Sequence, residues 1–281
     1  ALRAATAASP TALMIHDTDV IVLPTAVVAL HNSSVVDPTT GRLSIDMPGT
    51  LPLIAQMIDE TFARFPASNG LQVRVGENNV MDTPYHTGAS AVDFSLSRSE
   101  QQRQYVKLIN FLREAVCVKH NRTLVFRTWD TAGFVKTDPP RFHGDLEYYL
   151  NVTNQVEPHA KLYFSVKHTL LDFWRWVRPN PTLNRGRHAQ VVEVESEREY
   201  EGKGAYPNYI GRMVIEGFPE VRTAPGPAGF ADLAAAGAFD PARGGRIRGV
   251  RVWARGGGWR GPYVRGYESN IVLNDWVVSQ W

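Results

Sequence analysis

The chain has 281 residues, 43% of them hydrophobic and 21% charged, enough to bury one large core of an ordinary globular kind. Lys and Arg exceed Asp and Glu by only two, a balance that argues against nucleic acid or an anionic membrane surface as partner, and no apolar run reaches the ~20 residues of a membrane span. A single cysteine, Cys117, excludes an internal disulfide framework and any multi-cysteine metal site.

Strand and helix patterns alternate along the chain. DVIVLPTAVVAL (19–30) is the first predicted strand. TLPLIAQMIDETFARF (50–65) spaces Leu53, Ile54, Met57, Ile58 and Phe62 as a helix does, with Thr50 as its cap. GLQVRVGENN (70–79) is a second strand. SEQQRQYVKLINFLREAVCVKH (99–120) is the clearest helix, striped by Tyr105, Leu108, Ile109, Leu112 and Val116, capped by Ser99, with Cys117 a buried structural thiol. TLVFRTWD (123–130) is a strand and DLEYYLNVTNQV (145–156) a short helix. KLYFSVKH (161–168), HAQVVEVESE (188–197) and RIRGVRVWAR (246–255) are strands, and ESNIVLNDWVVSQW (268–281) is a helix. The Ala/Gly/Pro-rich stretch 223–245 reads as a loop insertion with a short helix inside one barrel domain spanning 1–281.

Strand–helix alternation implies parallel strands with right-handed crossovers. A doubly wound sheet and a (β/α)8 barrel both fit, and the barrel is favoured. No Gly-rich phosphate loop follows the first strand. Charged and aromatic residues recur just after several strands: Glu77, then Arg127 with Trp129 and Asp130, then Lys167 with Asp172, then Glu199, then Trp253 with Trp259. Chemistry spread over the C-terminal ends of many strands is barrel behaviour. Only about six strands are found, so the barrel is expected to be incomplete, lacking its first two.

Cleaving a glycosidic bond requires a proton donor for the leaving oxygen and a carboxylate on the other face of the ring, and carboxylates on different strands meet that need. Glu77 ends a strand. Asp172 stands among Leu171, Phe173 and Trp174, where an acid is paired or functional. Glu193, Glu195, Glu197 and Glu199 alternate on one strand face, and four like charges there demand pairing, so Glu193, Glu195 and Glu197 read as mostly supporting and Glu199, past the apolar part, as functional. Arg127 and Lys167 are cations near strand ends that meet either a catalytic carboxylate or one on the substrate. Trp129, Trp174, Trp176 and Trp259 offer stacking walls for sugar rings. The eight histidines show no HxH or HExxH spacing, and no GxSxG is present.

In order, VRVGE, LVFRTWD, SVKHTLLDFWRWVRPNP and VVEVESEREYEG resemble glycoside hydrolase family 67, the α-glucuronidases that remove glucuronic acid from xylan side chains. The resemblance covers roughly 15–281 and implies strands three to eight of the barrel, RGVRVWARGGGWRGP being similar to the last. It implies that Glu77 is the general acid and that Asp172 and Glu199 are the bases that activate water. It further implies that Arg127 and Lys167 surround the uronic carboxylate, with Arg74 one position away from a lysine of the family. KHTLLDF stands where the family has K-N-G-P-x-D-F, and Glu195 stands for a glutamine. The expectation is an inverting glycosidase acting on a uronic-acid-bearing plant or algal glycan, substrate-bound through Arg127, Lys167, Arg74, Trp129, Trp174 and Trp259, with no cofactor or metal. A metal-dependent barrel hydrolase or lyase using Glu193–Glu199 and His188, and a non-catalytic carbohydrate-binding protein, are the alternatives. The acceptor triplets at Asn32, Asn121 and Asn151 suggest a secreted, glycosylated protein, with a cytoplasmic one as the alternative.

Overall fold

A computed structural model describes residues 15–18, 23–75, 92–93, 96–130, 142–170, 177–195 and 211–253. The chain divides into two compact units, Ala1–Phe142 with Glu147–Phe164, and His143–Leu146 with Ser165–Trp281. Both are built of parallel strands and helices, so the chain is an α/β protein.

The first unit opens with strand β1 (Ile15–Thr18), followed by helices α1 (Thr25–Leu30) and α2 (Asn32–Val35). The strand expected over 19–30 is therefore displaced. Its described part is helical from Thr25, because Pro24 at the N-cap, with φ −54° and ψ 137°, turns the chain into a helix that needs no amide from it. A short apolar run such as TAVVAL has no alternation that would distinguish strand from helix. The two-residue strands β2 (Val36–Asp37) and β3 (Arg42–Leu43) form a small antiparallel pair.

Helix α3 (Thr50–Arg64) buries Ile54, Ile58 and Phe62, one residue per turn. Its N-cap is Gly49 rather than Thr50, whose hydroxyl instead donates to the Ser44 carbonyl at 2.6 Å. Helix α4 (Arg98–Leu112) buries Tyr105, Leu108, Ile109 and Leu112. Its cap is Ser97, two residues before the expected Ser99: the Ser97 Oγ accepts from the Glu100 amide at 3.3 Å. The helix continues as a wider π-helical stretch, Arg113–Lys119, that buries Ala115, Val116 and Cys117.

Strands β4 (Gly70–Arg74) and β5 (Thr123–Arg127) run parallel to β1 and to each other, with Gly70 opposite Thr123 and Arg74 opposite Arg127. Helix α5 (Leu146–Thr153) leads to β6 (Leu162–Lys167), whose first three residues belong to the first unit and last three to the second. Leu71, Val73, Leu124, Phe126 and Phe164 pack with Tyr105, Leu108, Phe142 and Tyr149 in the core of the first unit.

In the second unit β6 is followed by β7 (Ala189–Glu195) and, after helices α6 (Gly211–Glu216), α7 (Pro219–Arg222) and α8 (Phe230–Ala235), by β8 (Ile247–Trp253), parallel to β7. Gly217, at φ 83°, makes the left-handed turn between α6 and α7. Within 223–245, Phe230, Leu233 and Ala238 join Val166, Val192, Val194 and Ile247 in the core of this unit. In each unit neighbouring strands keep chain order: β1, β4, β5, β6 in the first and β6, β7, β8 in the second. The predicted helix 268–281 lies outside the described residues.

Candidate functional site

The strands have two unlike faces, because successive side chains point opposite ways. In the first unit Leu71, Val73, Leu124 and Phe126 take the face toward the helices, which leaves Gln72, Arg74, Val125 and Arg127 on the other. Arg74 and Arg127 are the last residues of β4 and β5 and sit at the same level, on strands about 4.8 Å apart. Arg127 is buried and Arg74 half-buried. Arginine forks match the geometry of a carboxylate.

Beyond β5, Thr128, Trp129 and Asp130 are all buried. The Tyr105 hydroxyl and the Phe142 amide each donate to Asp130 Oδ2, both at 3.0 Å. One buried oxygen therefore ties the end of β5 to α4 and to the chain at Phe142.

In the second unit the same alternation places Ser165, Lys167 and Glu193 opposite the core face formed by Val166, Val192 and Val194. Lys167 ends β6 and is buried. Glu193 is fully buried; its Oε2 accepts from Ser165 Oγ at 3.5 Å and lies 3.9 Å from Nη2 of Arg251. Beside them, burial pushes the His168 imidazole down to about 4, an effect that the Lys167 charge reinforces and Glu193 opposes.

The loops of this unit are fixed by a buried polar network. Asn180 donates through Nδ2 to the His143 carbonyl at 2.6 Å, and its Oδ1 accepts from the Thr182 amide and hydroxyl at 2.9 and 2.7 Å. The His143 Nε2 lies 3.2 Å from the Thr169 carbonyl. Gln190 donates to the Thr182 carbonyl at 2.9 Å.

Of the expected site residues, the structure places Arg74 and Arg127 together in the first unit, Trp129 just beyond them, and Lys167 at a strand end of the second. Glu77, Asp172, Glu199, Trp174 and Trp259 lie outside the described residues. Two features are not predicted from the sequence: the Asp130 anchor, and the pairing of Glu193 with Arg251. The signal for the second is present in the alternation of VEVE and VRVW, but pairing them needs the strand register. Among the described residues no group of three or more His, Cys, Asp or Glu side chains is arranged to hold a metal ion, and no helix is long and apolar enough to cross a membrane. A recess between His168, Thr169 and the helical residues Val214, Phe230 and Leu233 has a volume of about 20 Å³, room for one water rather than a sugar. No family model matches the chain, and no curated protein matches it either.

Proposed function

We propose that this protein is an inverting glycosidase that removes a glucuronic-acid-type residue from a plant or algal polysaccharide or oligosaccharide, on an incomplete (β/α)8 barrel whose strands correspond to strands three to eight. The singly wound strand order within each unit supports the barrel, because a doubly wound sheet reverses its order at a switch point. The observation that carries the substrate reading is that two arginines, Arg74 and Arg127, are cross-strand partners at the C-terminal ends of β4 and β5, on the polar face. An arginine fork matches the geometry of a sugar carboxylate and has no such match in a neutral hexose.

In this reading, which rests on the family 67 resemblance, Glu77 protonates the leaving oxygen while Asp172 and Glu199 polarise the attacking water. Arg127, Lys167 and Arg74 hold the uronate by charge-assisted hydrogen bonds, and Trp174 and Trp259 guide the sugar chain, whereas Trp129, only 3% exposed, is a packed ring rather than an open stacking wall. No cofactor takes part. The exposed positions of Asn32, Asn121 and Asn151 suit a secreted, glycosylated protein.

The test is hydrolysis of aldouronic oligosaccharides against neutral α-glycosides, with the anomeric configuration of the first-formed product read by NMR. Release of glucuronic acid with inversion, abolished in Glu77→Gln, is the expected result. A preference for neutral sugars sinks the uronate assignment, and retention of configuration sinks the mechanism.

A further inference from the structure

Two loops of the second unit meet at the N-terminal ends of β7 and β8, and both are rich in arginine. One reads RGR over 185–187 and the other RGGRIR over 243–248. Hydrogen bonds stitch them together. The Arg246 amide donates to Asn184 Oδ1 at 2.8 Å, the Gln190 amide to the Arg246 carbonyl at 2.8 Å, and Gln190 Nε2 to the Arg185 carbonyl at 3.4 Å. Arg185 and Arg246 thus rise from neighbouring stretches of chain. Arg248 Nη1 donates to the Gly245 carbonyl at 2.9 Å, which folds its guanidinium back beside Arg246, and Arg243 Nη2 donates to the Ala235 carbonyl at 3.2 Å.

Arg185, Arg243 and Arg248 are exposed and Arg246 is half-buried. Among the described residues none of these four meets a carboxylate: the bonds of Arg243 and Arg248 go to main-chain carbonyls. Asp240, the acid of the second loop, accepts instead from the Ala242 amide at 2.9 Å. Surface cations of the first unit differ, since Arg42, Arg103, Lys107 and Lys119 are engaged by Asp93, Asp46 and Asp59. Like charges gathered on two adjoining loops repel one another, and a bound polyanion relieves that repulsion.

We propose that this arginine surface is an anchoring site for an acidic polysaccharide, a polymer carrying repeated carboxylates that the guanidinium forks match. The choice of a glycan rests on the glycosidase reading above, and the character of the loops supports it. No Phe, Tyr or Trp occurs in 181–190 or 240–249, so the surface lacks the rings on which the bases of a single strand stack. The large apolar side chains exposed among the described residues, Leu30, Phe65 and Val118, all belong to the first unit, so nothing beside these arginines enters a lipid surface. Seven-residue strands put the loops roughly 20 Å from the C-terminal ends of β7 and β8. The anchor therefore retains the polymer without touching the reacting sugar.

The full chain, its double variants Arg185→Gln/Arg246→Gln and Arg185→Lys/Arg246→Lys, and Lys119→Gln are titrated with glucuronoxylan and with its carboxyl-reduced, neutral form. A single-stranded oligonucleotide and phosphatidylserine vesicles are the other probes. The wild type is expected to bind glucuronoxylan, more weakly as salt rises, and not the reduced polymer. Affinity falls ~10- to 30-fold in the Gln pair, and the Lys pair recovers part of the loss. Lys119→Gln, whose cation Asp59 already engages, binds as the wild type does. Should Arg246→Gln disturb the fold, Arg185→Gln alone, on an exposed side chain, carries the test with a ~3- to 5-fold loss. Equal binding of the reduced polymer, an unmoved affinity in the Gln variants or an equal loss in Lys119→Gln overturns the inference, as does tighter binding of the oligonucleotide or the vesicles at matched salt. A wild type that binds glucuronoxylan through these arginines yet is inert on an aldouronic oligosaccharide overturns the glycosidase reading and leaves the anchor standing. An active wild type whose polymer affinity ignores the Gln variants overturns the anchor alone.

Discussion

Asp130→Ala is expected to destabilise the protein by about 4 kcal/mol, and Asp130→Asn by about 1 kcal/mol. The hydrogen bonds from the Tyr105 hydroxyl and the Phe142 amide end on the same oxygen of Asp130, Oδ2, in a fully enclosed place. Alanine leaves two buried donors without their acceptor, at ~1–3 kcal/mol each. Asparagine can set its own oxygen where Oδ2 was and keep both bonds. It loses the charge assistance, roughly 1 kcal/mol per bond, and regains part of that because a neutral amide is less costly to bury than a carboxylate. Tyr105→Phe removes one donor only and should fall between them, near ~2 kcal/mol. Urea denaturation monitored by tryptophan fluorescence gives all three values, provided the slopes stay equal to that of the wild type. The order Ala, Phe, Asn from most to least harmful is the signature of one shared oxygen. If Asp130→Asn proves as harmful as Asp130→Ala, the negative charge and not the acceptor holds the end of β5; if Asp130→Ala costs under ~1 kcal/mol, the two bonds contribute nothing there.

Acid should weaken the second unit through His168, whose imidazole titrates near 4 in the fold against 6.5 in an open chain. The unfolded state binds the proton first, so this contribution is complete above pH 6.5 and is lost progressively as pH falls to 4, up to about 3 kcal/mol; urea midpoints at pH 7.5 and 4.5 should differ less in His168→Gln, and an equal difference refutes the assignment. The Cys117 thiol, pushed up to about 11 by burial, should resist iodoacetamide at pH 8 in the native protein and react fully in urea, so rapid native alkylation would show it is accessible. Gly70→Ala puts a Cβ into the Thr123 carbonyl, overlapping its oxygen and 2.8 Å from its carbon, and should cost ~3 kcal/mol or more by parting β4 from β5; a wild-type melting temperature would refute that closeness.

Local periodicity made parts of the fold legible in the sequence. TLVFR separates into Leu124 and Phe126 on the core side and Arg127 on the other because a strand covered by helices on one face writes that face into every second residue. Helices α3 and α4 were legible for the same reason at a different period. The caps were not, since several polar residues precede each helix and backbone geometry selects among them: Ser97 over Ser99, and Gly49 with no side-chain cap over Thr50. The widening of α4 into a π-helix at Arg113–Lys119 leaves no mark in REAVCVK that periodicity can detect.

At the site, Arg127 and Lys167 are legible as cations near strand ends, whereas Arg74 falls inside the strand expected over 70–79 and ends β4 only in the structure, and the partners of Glu193 are not legible at all. Gln190 pairs with Ile247, and equal counting from that pair would set Glu193 opposite Val250 and Arg251 opposite Val194, on the core face. The register instead shifts between Gln190 and Val191, so that Val191 meets Gly249 and Arg248 is the extra residue of β8. One inserted residue reverses which side of the sheet each later side chain of β8 faces relative to β7. Without it a guanidinium would be pressed among Val192, Val194 and Phe230, an apolar cluster in which a buried charge is costly. With it Arg251 reaches the carboxylate of Glu193, and Val250 turns to the apolar side beside Phe239. The bulge is thus the device that gives β8 a cation on the same face as Lys167, and it belongs to strand pairing rather than to any local run of residues.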